Sequence, residues 1–282
     1  MIILGTDEAG YGPNLGPLVV SLTVWETNTD DLFPLFEPLK RAGIPIGDSK
    51  KIYHGGSLTA LETGILVPLR SLKQNVLPVA NTMPIANDNE NIDNLVPKFE
   101  NILQQYGVRL LDLQHRSIEP EEFNRLLDRF DSKGSLLSNV TLRLIADRLA
   151  TLDNNNVLVL CDKHGGRNHY LDILTEFFPG EFFQVVQESR ESSVYRLISE
   201  YRRREFRFLA KGETHLPIAL ASMVSKYHRE LAMLRFNTFW QTHIPDLQPT
   251  AGYPEDAKRF RQEIAATQKR LGITDENLWR KR

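Results

Sequence analysis

Cysteine is nearly absent: Cys161 stands alone in a chain of 282 residues. An internal disulfide and a cysteine-rich zinc pattern are thereby excluded, and the usage suits a reducing compartment. No apolar run reaches the roughly 18 residues a membrane helix requires, and the first residues lack the basic start and long apolar stretch of a signal peptide. An excess of either charge is missing too. With 34 Lys+Arg against 36 Asp+Glu, any surface for a polyanion must be local. No internal repeat or low-complexity tract stands out. The expectation is a cytoplasmic, monomeric protein with no membrane association, whose 41% hydrophobic content allows one sizeable core.

What is present has α/β rhythm. Met1 to Thr6 is apolar and β-favouring, and Leu18, Val20, Leu22 and Val24 alternate with Val19, Ser21, Thr23 and Trp25 in the period of a strand. After a polar stretch from Asn81 to Asn94, Leu95 to Tyr106 reads as a helix leading into a strand at Val108 to Leu113. Glu119-Pro120-Glu121-Glu122 marks a helix start, and Leu136 to Leu152 is amphipathic. Val157 to Cys161 runs apolar without alternation, as a strand covered on both faces does, and stops at Asp162. Phe182 to Val186 and Glu205 to Leu209 are predicted strands, with a helix between them ending in Arg202-Arg203-Arg204. A further helix starts near Leu216, with Pro217 in its first turn and Leu220, Met223, Tyr227, Leu231 and Leu234 at helical spacing. From about Phe236 the pattern is less regular.

The chemistry gathers around acids at the ends of apolar segments. Asp7-Glu8 sits between the first strand and a glycine-rich turn, Gly10-Tyr11-Gly12-Pro13. Neighbouring strand residues face opposite ways, so the two carboxylates share one site only if the chain turns there. Asp162 ends a second buried strand, where open α/β sheets place their sites, and Lys211-Gly212-Glu213 lies between a strand and a helix. An acidic pair at a turn is ordinarily solvated or caps a helix; this company argues for more. Converged carboxylates repel unless they bind cations, and hard oxygen donors without cysteine favour magnesium or manganese over zinc.

Six stretches now resemble a known family in order and rough placement. Gly5 to Gly12, Gly47-Asp48-Ser49-Lys50-Lys51, Leu160-Cys161-Asp162, Lys211-Gly212-Glu213, Ala221 to Lys226, and Gly252-Tyr253-Pro254 are similar to the successive blocks of the type 2 ribonucleases H, ribonucleases HII and HIII. The resemblance spans about residues 1 to 256. It implies a ribonuclease H-like mixed sheet with helices on both faces, followed by a C-terminal helical segment. It also implies a metal-dependent endonuclease that cuts the RNA strand of RNA–DNA hybrids, or ribonucleotides embedded in DNA. Asp7, Glu8, Asp162 and Glu213 fall on the family's catalytic metal-binding acids, for two Mg2+ or Mn2+ ions. Gly10, Tyr11 and Gly12 match the loop facing the ribose 2′-hydroxyl, which distinguishes RNA from DNA. Lys50, Lys51, Lys211, Ser222 and Lys226 match positions near the phosphate backbone, and Tyr253 matches a ring against the sugar.

The chain also departs from the family pattern. Tyr11 replaces a residue commonly basic, and either stacks on substrate or simply packs over the loop. Glu213 stands where Asp is usual, and Ala251 and Glu255 replace the usual neighbours of the Gly-Tyr-Pro. Between Asp162 and Glu213 the spacing is long, which suggests an insertion at about 180–210 within a catalytic domain over 1–235, with a helical extension over 236–282. A relative with altered or lost catalysis, acting as a nucleic-acid-binding module, is the alternative. A sugar-kinase-like phosphate binder would need a second glycine-rich phosphate loop, for which only Lys163-His164-Gly165-Gly166-Arg167 offers itself. His164 and His169 follow Asp162 closely, but a lone loop histidine is more often not a ligand.

Overall fold

The structure, a computed structural model, describes residues 1–53, 58–73, 89–152 and 156–281; of the polar stretch at 81–94, residues 81–88 lie outside them. The strands are β1 (Ile2–Ala9), β2 (Leu18–Glu26), β3 (Arg109–Ile118), β4 (Asn156–Asp162), β5 (Phe183–Glu188), β6 (Ser192–Leu197) and β7 (Arg203–Leu209). They form one sheet in the order β3-β2-β1-β4-β7-β6-β5. β1, β4 and β7 run parallel, whereas β2 is antiparallel to both its neighbours and β6 to both of its own. The helices are α1 (Phe36–Arg41), α2 (Ser49–Ile52), α3 (Thr59–Ser71), α4 (Asn89–Gln105), α5 (Pro120–Phe130), α6 (Lys133–Leu149), α7 (Leu171–Phe177), α8 (Leu216–His243), α9 (Pro254–Arg270) and α10 (Asp275–Leu278).

Both faces of the sheet are covered, which is the α/β arrangement that the sequence resemblance implies. Ile3, Leu158 and Leu160 pack beneath α1, α3, α4 and α8, while Ile2, Leu4, Val157, Val159 and Cys161 pack against α6 and α7. Period-2 side chains on strands buried from both sides explain why the β4 run shows no alternation in polarity. Double coverage also buries Ser21, Thr23 and Trp25 in β2, although two of these are polar. Their hydroxyls find partners on the crossing helix: Thr23 donates to Pro217 O at 2.8 Å, and Ser225 Oγ lies 2.7 Å from Ser21 Oγ. Gly5 allows this close crossing, because a Cβ there would sit 2.3 Å from the Pro217 backbone.

Two sequence expectations need correction. No helix separates β5 from β7; a hairpin of β5 and β6 occupies the insertion, and Arg203 and Arg204 open β7. Ser193, Tyr195 and Leu197 alternate inward, and the Ser189 hydroxyl accepts from the Glu191 and Ser192 amides at the turn. That alternation is a strand period, and the basic run masks it. The C-terminal part is also more regular than it reads. α8 continues unbroken through residues 235 and 236, and the 17-residue α9 packs Ala257, Phe260 and Ile264 with Trp240 and Leu15. Leu234, the last member of the predicted apolar series, is 42% exposed, whereas Leu231 and Met233 beside it are buried. No helix among the described residues is long and apolar enough to cross a membrane.

Candidate active site

The three parallel strands β1, β4 and β7 end at the same side of the sheet, and each carries an acid at or just beyond that end. A cleft of about 940 Å³ opens there. Asp7, Glu8, Gly10, Tyr11, Gly12, Lys50, Lys51, Asp162, Lys211, Glu213, Ser222, Lys226 and Tyr253 all line it. Residues more than two hundred positions apart meet because the β1 end is clamped by α8: Ser225 Oγ lies 3.0 Å from Asp7 O.

The acids hold one another in a poorly solvated place. Asp7 is buried, and Glu8 and Asp162 are partly so. Burial first, then the neighbouring Glu8 and Asp162 carboxylates, push Asp7 well above the usual carboxylate range. Burial and Asp162 raise Glu8, and burial raises Asp162 against the hydrogen bond its Oδ1 accepts from Gly212 N at 2.9 Å. Lys50 is the cation whose charge reaches Glu8 and Asp162. Three crowded oxygen-donor side chains with so little positive compensation suit a hard divalent cation. No ready-made cage of three His, Cys, Asp or Glu side chains exists among the described residues, however. Glu213 is engaged elsewhere: its Oε1 accepts from the Ser49 hydroxyl at 3.1 Å, the Ser49 amide at 3.3 Å and the Ser222 hydroxyl. The long glutamate side chain reaches these serines. Asp7, Glu8 and Asp162 thus supply the donor chemistry that a hard cation takes without being drawn together into a cage, and Glu213 is held by Ser49 and Ser222.

The walls are set by glycines where side chains would collide. Gly10 has φ +87°, and a Cβ there would meet Pro17 O at 2.4 Å and Arg229 Nε at 2.7 Å. Gly12 has open space around its Cα, leaving backbone accessible to a ligand. Tyr11 does pack over the loop, its hydroxyl so close to Gly165 that a Cβ there would be 2.2 Å away, yet the ring still borders the cleft. On the opposite wall Tyr253 is 55% exposed at the N-cap of α9. Its loop is tied to the first wall by Asn14 N donating to Gly252 O at 2.8 Å, and by Arg229 Nη2 donating to Ala251 O at 2.9 Å. The lysines differ in availability. Lys226 donates to Glu230 at 2.7 Å and sits 4.5 Å over the Tyr53 ring, Lys51 pairs with Asp48 at 3.4 Å, and Lys50 and Lys211 are exposed at the rim.

Sequence reasoning passed over Arg229 and Ser49. Arg229 is 3% exposed, one helical turn beyond Lys226, and burial lowers its proton affinity. An arginine on a long helix looks like a solvated one, so no signal marked it. Ser49 lies inside the Gly47-to-Lys51 block, but its partner Glu213 is visible only in three dimensions. The Lys163-to-Arg167 stretch is not an open phosphate loop: Lys163 Nζ is consumed by Asn168 Oδ1, Ser189 O and Ser193 Oγ at 2.7 to 3.0 Å, and Tyr11 covers Gly165. His164 is buried against Ser138 Oγ at 3.0 Å, and burial lowers its pKa to about 3. His169 is exposed beside Glu188. Cys161 is a free core thiol that burial pushes up to about 12.

No protein-family model and no curated protein matches the chain. Solved structures do. It is similar to a chain in the PCNA:RNase HII complex from Archaeoglobus fulgidus, at 16% identity and TM-score 0.47, covering 100% of this chain and 95% of that one. It is similar to ribonuclease H2 from Pyrococcus horikoshii OT3, at 15% identity and TM-score 0.48, covering 99% and 92%. A third is Bst-RNase HIII in complex with Mn2+, at 17% identity and TM-score 0.44, covering 99% of this chain and 66% of that one. All three carry the names of the family that the six sequence blocks resemble.

Proposed function

We propose that the cleft is the active site of a divalent-metal-dependent endonuclease acting on the RNA strand of RNA–DNA hybrids or on ribonucleotides embedded in duplex DNA. One observation supports this above the others: acids from three strand ends share a cleft with an open glycine backbone and lysines on its rim. Asp7, Glu8 and Asp162 would hold Mg2+ or Mn2+, joined by Glu213 once it leaves the serines. Bound there, the metal would supply Lewis-acid stabilisation of a phosphoryl oxygen and a water acidified enough to attack phosphorus. The chain's own groups do the rest. Gly10 and Gly12 bring backbone within reach of the ribose, Tyr253 offers a ring face to the sugar, and Lys50 and Lys211 present charge to neighbouring phosphates.

The engaged Glu213 and the non-basic Tyr11 favour a second reading, a protein that binds hybrids through the same cleft with altered or no cleavage. Incubating two labelled duplexes, one with a single ribonucleotide and one with a ribonucleotide run, across a Mn2+ and Mg2+ titration separates the two. Cleavage that disappears in Asp7→Asn supports the enzyme. Retention of uncut duplex at every metal concentration supports the binding protein, and turnover unchanged in Asp7→Asn removes these acids from the chemistry.

A further inference from the structure

At the far end of the sheet, where β4 and β7 begin, a second recess of about 420 Å³ is lined by Arg196, Arg202, Arg203, Arg204 and Arg207. Asn156, which lines it, stands at the opposite end of β4 from Asp162, about 20 Å away at the rise of a strand. Acids there do not balance the arginines. Glu205 takes Arg196 at 2.8 Å and Arg207 at 2.6 Å, and Glu181 takes Arg204 at 2.9 Å and Arg202 at 3.5 Å. Asp30 reaches only Arg207, at 3.7 Å. Arg203 is exposed and makes no ion pair among the described residues. Five guanidiniums line the recess beside Asp30 and Glu205, and even with Glu181 at Arg202 and Arg204 and the exposed Glu200 next to Tyr201 counted, cations exceed acids there in a chain whose overall charge is −2.

Beside this charge lie aromatic and aliphatic side chains that stand exposed among the described residues. Tyr201 is 83% exposed, Ile198 66% and Phe182 74%. Ile198 and Tyr201 flank the lining residues Ser199 and Arg202 in sequence, and Phe182 O accepts from Ile198 N at 2.8 Å. Five of the eleven large apolar side chains exposed among the described residues fall within positions 182 to 201. A salt-bridge network that merely braced the hairpin would need neither the surplus arginine nor the bare rings.

We propose that this recess is a second nucleic-acid site, distinct from the cleft, which holds an unpaired strand with phosphates on Arg202 and Arg203 and a base stacked on Tyr201. Guanidinium forks match phosphate oxygens, and aromatic faces take bases without regard to sequence. The strand must be unpaired, because a base within a duplex cannot offer its face to a side chain. The inference is independent of the cleavage reading, since it concerns binding at the opposite end of the sheet.

Anisotropy of a fluorescein-labelled oligothymidylate, titrated with protein in EDTA at several salt concentrations, tests it. Arg203→Glu is expected to weaken binding by about tenfold or more and to lower the salt slope by about one unit. Tyr201→Ala is expected to weaken it by about tenfold. Both altered side chains are exposed, so the unfolding midpoint should stay at the wild-type value. Affinity indifferent to both substitutions overturns the proposal, as does the absence of any oligothymidylate binding. Displacement of the oligonucleotide by inorganic tripolyphosphate at matching affinity also overturns it, in favour of a small-anion pocket. Capture of an acidic peptide with no affinity for the oligonucleotide makes the recess a protein-docking site instead.

Discussion

Replacing Glu8 by Gln should make the metal-free protein more stable while removing its response to divalent cations. In the folded state burial and Asp162 push the Glu8 carboxyl from 4.5 up to about 8. For a carboxyl raised on folding, stability is fully present below its unfolded pKa and is lost as pH rises through the folded one. Near neutral pH the folded protein therefore carries a cost that the unfolded chain escapes. Taken whole, the shift corresponds to about 4 kcal/mol at about pH 7.5; Glu8 keeps a partly accessible face, which reduces the expectation to about 1–3 kcal/mol. Glutamine has the same shape and no charge to bury. For a chain of this size the gain appears as a rise in Tm of about 2–4 °C per kcal/mol. Differential scanning calorimetry in EDTA at about pH 7.5 and about pH 5 reads it, and the gain should fall below about 1 kcal/mol at the lower pH. Manganese at about a hundred times its Kd should stabilise the wild type by about 2.7 kcal/mol and the variant by much less. A Glu8→Gln protein no more stable than wild type, or equally favoured at both pH values, refutes the idea that these acids strain the empty cleft.

Other expectations follow from single contacts. Gly5→Ala forces a methyl into the Pro217 backbone and should lower unfolding free energy by about 2–4 kcal/mol, measured by urea denaturation. His228 stacks on His115 at 3.8 Å, and burial lowers its pKa to about 3. Its contribution is complete above about pH 6.5 and lost as pH falls towards 3, costing about 2 kcal/mol by pH 5; His228→Phe should flatten that acid limb in a pH series of thermal melts. Tyr253→Ala in an Asp7→Asn background should weaken hybrid binding by about tenfold in equilibrium titration, while Tyr253→Phe should match the parent.

The legible parts of the fold were those in which one physical signal dominates. The uninterrupted apolar run at Val157 to Cys161 marks β4, and Pro217 marks the start of α8, because burial on both faces and a fixed proline φ leave few alternatives. Ser192 to Leu197 was obscured because Arg196 and the adjoining basic run suggest a solvated helix end, and only the pairing with β7 brings out the inward alternation. At the site, Asp7, Glu8 and Asp162 stood out as acids ending apolar runs. Ser49 and Arg229 did not, since nothing local distinguishes a serine that holds Glu213 or an arginine lying under a glycine loop.

The burial of the first half of α8 between the sheet and α3 also bears on how the molecule comes into being. Residues 216–225 cover β1 and β2, some two hundred positions earlier in the chain, and Thr23, Ser21 and the carbonyl of Asp7 find their partners on this helix. Such remote pairings are slow to form, and the early strands must wait, greasy and half-covered, until α8 leaves the ribosome. A nascent chain halted before that point would expose the β1–β2 surface to aggregation and would own no cleft at all.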